Sequence, residues 1–172
     1  LEIQRKTLEK PEIYFGLETQ VRISEQMPVG ESTGVDVPGQ LWKRYHMEKA
    51  SIEANLNTTV EMGMSHTEGT SQNLFTYFAG GLVQNIPDRL QDGFVERELS
   101  AGEYIVCRVE AENFEDLVTV ALDQASKYLF GIWLPHHNLT TEPFSAEKYY
   151  RDSEGMACME IWVKPLPLKN KS

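Results

Sequence analysis

The sequence contains only two cysteines, Cys107 and Cys158, and no long hydrophobic run. Two thiols so far apart are too few for a disulfide framework and are typical of small buried residues in a reducing compartment. No stretch of about eighteen apolar residues occurs, so no transmembrane helix is predicted. The first residues also lack the apolar segment of a signal peptide. We therefore expect a cytoplasmic protein with no membrane partner.

Positive charge is scarce as well. The chain has 16 Lys and Arg residues against 26 Asp and Glu residues, a formal net charge of −10. Such a field repels phosphate backbones and attracts cations, so we expect no direct binding to nucleic acid. The 41% hydrophobic and 24% charged content is ordinary for a globular protein.

Motifs for metal binding and for common catalytic chemistries are missing. No His-x-x-x-His or Cys-x-x-Cys spacing occurs, and the adjacent His136 and His137 are poorly placed to chelate one ion. The chain has no Gly-x-Ser-x-Gly elbow and no glycine-rich phosphate loop. We therefore expect neither a metal nor a cofactor.

The first half of the chain predicts a strand, a helix and two strands. Residues 1–10 are polar and are expected to be a lead-in. Leu41, Tyr45, Glu48 and Ile52 fall on one helical stripe, with Trp42 beside it. The predicted elements in order are a strand over 13–23, a loop over 27–38, a helix over 39–55, and strands over 58–66 and 74–83, which a turn-rich segment over 67–73 connects.

The second half repeats this order. Strands are predicted over 94–99 and 103–110, and Asn113 with Asp116 resembles the capped start of a helix. Apolar residues then recur at helical spacing until Pro135, which is expected to end the helix. They are Phe114, Leu117, Val118, Ala121, Leu122, Ala125, Leu129 and Ile132.

Together the halves predict an α+β fold in which tandem β-α-β-β repeats share one antiparallel sheet with two helices on a face. The predicted organisation is one domain over 1–172, with repeats over about 11–84 and 94–165 and a ligand pocket between the halves.

The last two predicted strands, within 143–165, carry the most distinctive chemistry. Residues two apart on a strand share a face, so Glu147 lies beside Tyr149 and Glu160 lies beside Trp162. Met159, Ile161 and Val163 would form the opposite, core face of the second strand. Two acids and two rings on paired strands suit either a surface rim or the wall of a pocket for an apolar cation.

Six motifs in order resemble the GyrI-like effector-binding domain, a family that includes ligand-sensing domains of AraC-type and MerR-type bacterial regulators and stand-alone proteins. The resemblance extends over roughly residues 10–166. The motifs are Leu41-Trp42, Phe75-Thr-Tyr77-Phe-Ala-Gly80, Ala101-Gly-Glu-Tyr104, Ile132-Trp-Leu-Pro135, Glu147-Lys-Tyr149 and Glu160-Ile-Trp-Val-Lys-Pro165.

The resemblance implies an aromatic pocket in which buried acids neutralise lipophilic cations such as drugs and dyes. It assigns the counter-charges to Glu147 and Glu160, with Trp162 as an aromatic of the pocket, and Tyr77 also matches an aromatic of the family motif. Further candidate ligand contacts are Tyr149, Trp42, Tyr45 and Tyr128, although each of the helix and strand rings also fits simple core packing.

Two other functions remain open at this point. Some members of the family hydrolyse cyclopropane-bearing toxins with a Glu and a Tyr, for which Glu147 and Tyr149 are the matching positions. The chain could also be the sensory part of a transcription regulator, but ten polar residues cannot supply a helix-turn-helix. We therefore expect a stand-alone bacterial protein, and a homodimer is compatible with the sequence.

Overall fold

An eight-stranded antiparallel sheet carries helices on one face, in a computed structural model that describes residues 1–22, 37–67 and 74–168. The predicted α+β class and the shared sheet are confirmed. The strands are β1 Glu2–Leu8, β2 Glu12–Arg22, β3 Leu56–His66, β4 Leu74–Val83, β5 Val95–Leu99, β6 Gly102–Ala111, β7 Leu139–Thr141, β8 Phe144–Arg151, β9 Ala157–Val163 and β10 Pro165–Pro167.

The order of strands shows the internal repeat. It runs β1-β6-β9-β8-β3-β4-β2-β5, and β10 pairs separately with β7. Outward from the central strands β8 and β3, the two halves present equivalent elements in the same sequence. We call the paired strands β3 and β8 the seam, because they are the place where the two halves meet.

The prediction that residues 1–10 are a lead-in is wrong, because Glu2–Leu8 forms edge strand β1 on β6. In the same way β5, which precedes β6 in the chain, pairs with β2 of the first half. Each half therefore places its leading strand on the edge of the other. Charged residues such as Arg5 and Lys6 suit an exposed edge, but they also make the strand look like coil in the sequence.

The first helix, α1, spans Val37–Glu48 and continues as 3₁₀ turns at Lys49–Ser51 and Glu53–Asn55. It therefore begins two residues before the predicted helix and loses its α geometry halfway. The apolar members of its predicted stripe, Leu41, Tyr45 and Ile52, are all buried, whereas Glu48 of the same stripe is exposed and pairs with Arg44. Residue 23, most of the predicted loop over 27–38 and most of the turn over 67–73 lie outside the described residues.

The second helical run, α2, combines α-helical segments Phe114–Asp116, Leu122–Tyr128 and Leu134–His136 with π-helical turns Leu117–Ala121 and Leu129–Trp133. Asn113 caps it as predicted, because its side chain accepts a hydrogen bond from the Asp116 backbone at 2.8 Å. No helix in the described part of the chain is long and apolar enough to cross a membrane.

The π turns change which residues α2 buries. A π turn holds more residues than an α turn, so the apolar stripe shifts beyond it. Leu129 is buried, but Ile132 is 58% exposed, and Trp133 and Leu134 pack on the core in its place. Pro135 does not end the helix as predicted. It lies in the first turn of the last α-helical segment, where a missing N–H is tolerated.

A glycine contact between β2 and β4 provides a test of the sheet. A Cβ on Gly16 would lie 2.0 Å from the backbone oxygen of Ala79, so Gly16→Ala would have to separate the two strands. We expect Gly16→Ala to lower the free energy of unfolding by about 3 kcal/mol in urea denaturation.

Gly131→Ala is the matched control, because Gly131 lies in α2 with nothing within 4 Å of its would-be Cβ. That change should raise the free energy of unfolding by about 0.5–1 kcal/mol. Equal effects of the two alanines would contradict the close packing of β2 on β4.

Candidate functional site

The seam determines which side chains meet on the helix-bearing face of the sheet. Along it Glu61 pairs with Tyr149, Gly63 with Glu147, and Ser65 with Ser145. Directly opposite residues of an antiparallel pair point to the same face. Glu147 pairs on its other side with Ile161, which packs in the core beneath α2. Glu147 and Tyr149 therefore lie on the helix-bearing face.

Glu147 is surrounded by hydroxyl groups and rings. The Tyr149 hydroxyl donates to Glu147 Oε2 at 2.8 Å. From β4, the Tyr77 hydroxyl reaches over Gly63, whose missing Cβ would lie 2.3 Å from that oxygen and 3.6 Å from Glu147 Oε2. A side chain at position 63 would thus push Tyr77 away from the carboxylate.

Helix α1 adds an indole ring above these groups. Trp42 Nε1 donates to the Tyr77 hydroxyl at 2.8 Å, and the ring meets that of Tyr149 edge-on with centroids 5.8 Å apart. Tyr45 supports Trp42 from behind, also edge-on at 5.8 Å, and is almost fully buried. The structure therefore brings together Trp42, Tyr77, Glu147 and Tyr149, with Tyr45 as a packing residue.

A cavity of about 340 Å³ lies at the end of the seam where β8 begins, and Ser145, two residues before Glu147, is among the residues that line it. This volume is near the lower end of the range of small-molecule sites. Ser65 and Ser145 line it, and each lies two residues along its strand from Gly63 and Glu147 respectively. The rings of Phe75, Phe130 and Phe144 also line it. We call the helix-bearing face of the seam, from this cavity to the residues beneath Trp42, the groove.

Burial controls the ionisation of the site. Desolvation raises the pKa of the Glu147 carboxyl above its ordinary value, and the hydrogen bond from Tyr149 lowers it only in part. Burial, together with the negative charge of Glu147, raises the pKa of Tyr149 well above that of free tyrosine. No ion pair to Glu147 is found among the described residues, so its charge is stabilised by neutral groups alone.

The prediction that Glu160 and Trp162 share a pocket wall with Glu147 is wrong. Glu160 pairs with Lys148, the next residue after Glu147, and successive strand residues point to opposite faces. Glu160 and Trp162 therefore lie on the far face of the sheet. Because the opposite face of β9 is buried beneath α2, β9 is covered on both sides.

On the far face the charges are already satisfied within the protein. Glu160 accepts hydrogen bonds from the Tyr150 hydroxyl at 2.5 Å and from Trp162 Nε1 at 2.9 Å. Lys148 Nζ lies 2.7 Å from a Glu12 oxygen and 3.8 Å from the centre of the Trp162 ring. An internal ammonium group thus occupies the face of Trp162 that a ligand cation would need.

Other expectations about the groove also change. Tyr128 is 40% exposed and is not among the residues that line the cavity, whereas Phe130, two residues later and 43% exposed, lines it. Glu61 and Gly63 were not among the predicted site residues. The alternation along 58–66 already placed Glu61, Gly63 and Ser65 on one face, but it did not show which strand would lie beside them.

One group of potential metal ligands occurs in the described residues, formed by Glu110, Asp152 and Cys158. The Arg108 guanidinium lies among them, with Nη1 2.5 Å from Glu110 and Nη2 3.3 Å from the Cys158 sulfur. Burial also raises the pKa of the Cys158 thiol, which disfavours the thiolate that binds metals. This group is better suited to its internal cation than to a metal.

Comparison with known proteins places this architecture. The structure of SAV2435 bound to tetraphenylphosphonium matches with a TM-score of 0.66 at 16% identity, over 99% of this chain and 95% of that one. A protein from Staphylococcus aureus MU50 matches with a TM-score of 0.64 at 15% identity, over 99% of each chain. An integron cassette protein from Vibrio cholerae matches with 0.67 at 12% identity, over 95% of each chain.

At these identities the three structures show that the fold is shared. The search of curated proteins found no match. The family model described as the GyrI-like small molecule binding domain matches residues 2–165, nearly the whole chain. The chain therefore belongs to the GyrI-like small-molecule-binding family.

Proposed function

We propose that the protein binds lipophilic cations in the groove, with the Glu147 carboxylate as the counter-charge. The observation that carries this proposal is the carboxylate itself: it lies among Trp42, Tyr77 and Tyr149 and has no cationic partner among the described residues. Ser145, two residues earlier on β8, lines a cavity. Burying an ionised carboxylate without a partner is costly, so a cation that arrives there gains more than it would in water.

The aromatic surroundings favour one kind of cation. A positive group over an aromatic ring gains about 0.5–2 kcal/mol, depending on how well the site excludes water. Delocalised or bulky cations have weak hydration shells and lose little when they leave water. The net charge of −10 adds a long-range attraction for any positive ligand. A range of drugs and dyes shares these properties.

Two further lines of support come from relatives. The family is one of small-molecule binders, and SAV2435 was solved with tetraphenylphosphonium, a lipophilic cation.

We also propose that the protein works in the bacterial cytoplasm. We propose further that it forms one domain with repeats over about 11–84 and 94–165, since β1 and β5 each complete the other half's sheet edge.

The first test replaces the counter-charge. Glu147→Gln keeps an acceptor for the Tyr149 hydroxyl but removes the negative charge. We expect it to weaken tetraphenylphosphonium binding by about 30-fold, roughly 2 kcal/mol, as measured by isothermal titration calorimetry.

The control is Glu96→Gln, which removes the same charge from an exposed position on β5. It should leave the dissociation constant within about twofold, because exposed charges contribute little across a screened distance. If the two variants bind equally well, Glu147 is not the counter-charge.

Binding should also depend on pH through Glu147. Because burial raises the pKa of the Glu147 carboxyl above its ordinary value, this carboxyl is still protonated at a pH where an ordinary glutamate is already ionised. Affinity for tetraphenylphosphonium should therefore rise as pH increases through the raised pKa and then level off. The same series of affinity measurements in Glu147→Gln should lack this rise. If Glu147→Gln shows the same pH dependence of affinity as wild type, Glu147 is not the titrating group.

The same shift has a consequence for stability in the absence of ligand. Between the ordinary and the raised pKa the unfolded chain is ionised at position 147 while the folded protein keeps the proton, so the free energy of unfolding falls as pH rises. Glu147→Gln should therefore be at least as stable as wild type at pH 7 in urea denaturation. A large loss of stability would instead indicate that Glu147 is a structural residue.

Hydrolysis is the second candidate, favoured by the 2.8 Å hydrogen bond between Tyr149 and Glu147. A carboxyl with a raised pKa beside a phenol resembles a pair for general acid–base catalysis of water attack on a strained electrophile. Incubation with a cyclopropane-bearing electrophile and product analysis by mass spectrometry would test it. Turnover no faster than in Glu147→Gln would exclude this role.

A further inference from the structure

The groove contains a second acid that the counter-charge at Glu147 does not use. Glu61 on β3 pairs with Tyr149 on β8, and Glu147 is the next residue of β8 on the same face. Such diagonal neighbours across an antiparallel pair have their Cβ atoms roughly 7–8 Å apart. Glu61 and Glu147 are thus diagonal neighbours on the helix-bearing face, and Tyr149 is adjacent to both.

Glu61 already contacts two basic side chains from the C-terminal end of α1 and the turn that follows it. His46 Nε2 lies 3.0 Å and 3.1 Å from its two oxygens, and Lys49 Nζ lies 3.8 Å from one of them. The His46 ring also lies beside Trp42, with centroids 5.5 Å apart. The acid and its partners therefore border the indole that covers the deeper part of the site.

These partners can be displaced at low cost. The side chain of Glu61 is 26% exposed, and those of His46 and Lys49 are 46% and 32% exposed. Ion pairs with this much contact with water contribute little to stability, so both partners can return to solvent when another cation takes their place. The internal contacts of Glu61 thus indicate that it can pair with a positive group, and they leave it available to a ligand.

We propose that Glu61 is a second counter-charge and that the groove takes aromatic dications, with one positive end at Glu147 and the other at Glu61. This inference rests on the proposed binding of cations at Glu147 and names the ligand class more narrowly. The flat middle of such a ligand lies along Tyr149 and Trp42. Lys49, and His46 when protonated, act as internal competitors for the outer end.

A pair of ligands of nearly equal shape can separate the two acids. The dication 1,1′-dimethyl-4,4′-bipyridinium and the monocation 1-methyl-4-phenylpyridinium have the same two-ring frame and differ in one charge. We expect wild type to bind the dication about fivefold more tightly in calorimetric titration, the effect of one partly exposed charge pair. Glu61→Gln should remove this preference and leave monocation affinity within about twofold.

Lys49→Ala is the complementary variant and keeps the test independent of folding problems in Glu61→Gln. If Glu61 recognises the ligand, removing its competitor should raise dication affinity by about twofold while monocation affinity stays constant. If Glu61 only clasps α1 to β3, Lys49→Ala and Glu61→Gln should weaken both ligands alike. Glu96→Gln again controls for the loss of one negative charge.

The outcomes distinguish this inference from the function on which it rests. If wild type binds both ligands equally well and Glu147→Gln weakens both, the role of Glu61 is overturned and the role of Glu147 is retained. Failure of wild type to bind either ligand, or tetraphenylphosphonium, overturns both. A dication preference that persists in Glu61→Gln places the second charge elsewhere and also overturns the proposal.

Discussion

The antiparallel pairing of β3 with β8 is the interaction on which the rest of the structure depends. It joins the two halves into one sheet, and it sets Gly63 directly opposite Glu147. Because Gly63 has no side chain, the Tyr77 hydroxyl from β4 can extend across β3 toward the carboxylate. A shift of one residue in this register would send Glu147 to the far face and bring Lys148 under the helices.

The strand alternation was predictable from the sequence, but the relation between strands was not. Period two places Glu147 with Tyr149, and Glu160 with Trp162, whatever the fold. Whether the pairs share a face depends on the turn between β8 and β9. There Asp152 and Met156 close the turn and Gly155 adopts φ 83°, a register that pairs Glu147 with Ile161 and not with Glu160. A turn one residue longer or shorter would have allowed the predicted wall.

Other differences between expectation and structure have similar causes. Local signals such as the Asn113 cap and the buried stripe of α1 predicted their elements correctly, because neighbouring residues determine them. Strand β1 forms only by pairing with β6, about a hundred residues away, and it has too few apolar side chains to be recognised as a strand from the sequence. The π turns of α2 were not predicted, because the apolar residues before Ile132 fit an ordinary α-helix equally well. Only at Ile132 does the buried stripe depart from α-helical spacing.

The two faces of β8 use charge in different ways, and this contrast favours the groove as the proposed ligand site. On the far face, Lys148 pairs with Glu12, and Glu160 is held by Tyr150 and Trp162, so every buried charge has a protein partner. On the helix-bearing face, Glu147 receives a neutral hydroxyl, and its raised pKa reflects the unpaid desolvation of its charge. A protein that had evolved only for stability could have paired or replaced this carboxylate. An acid without a cationic partner among the described residues is therefore consistent with the proposed cation from outside the chain.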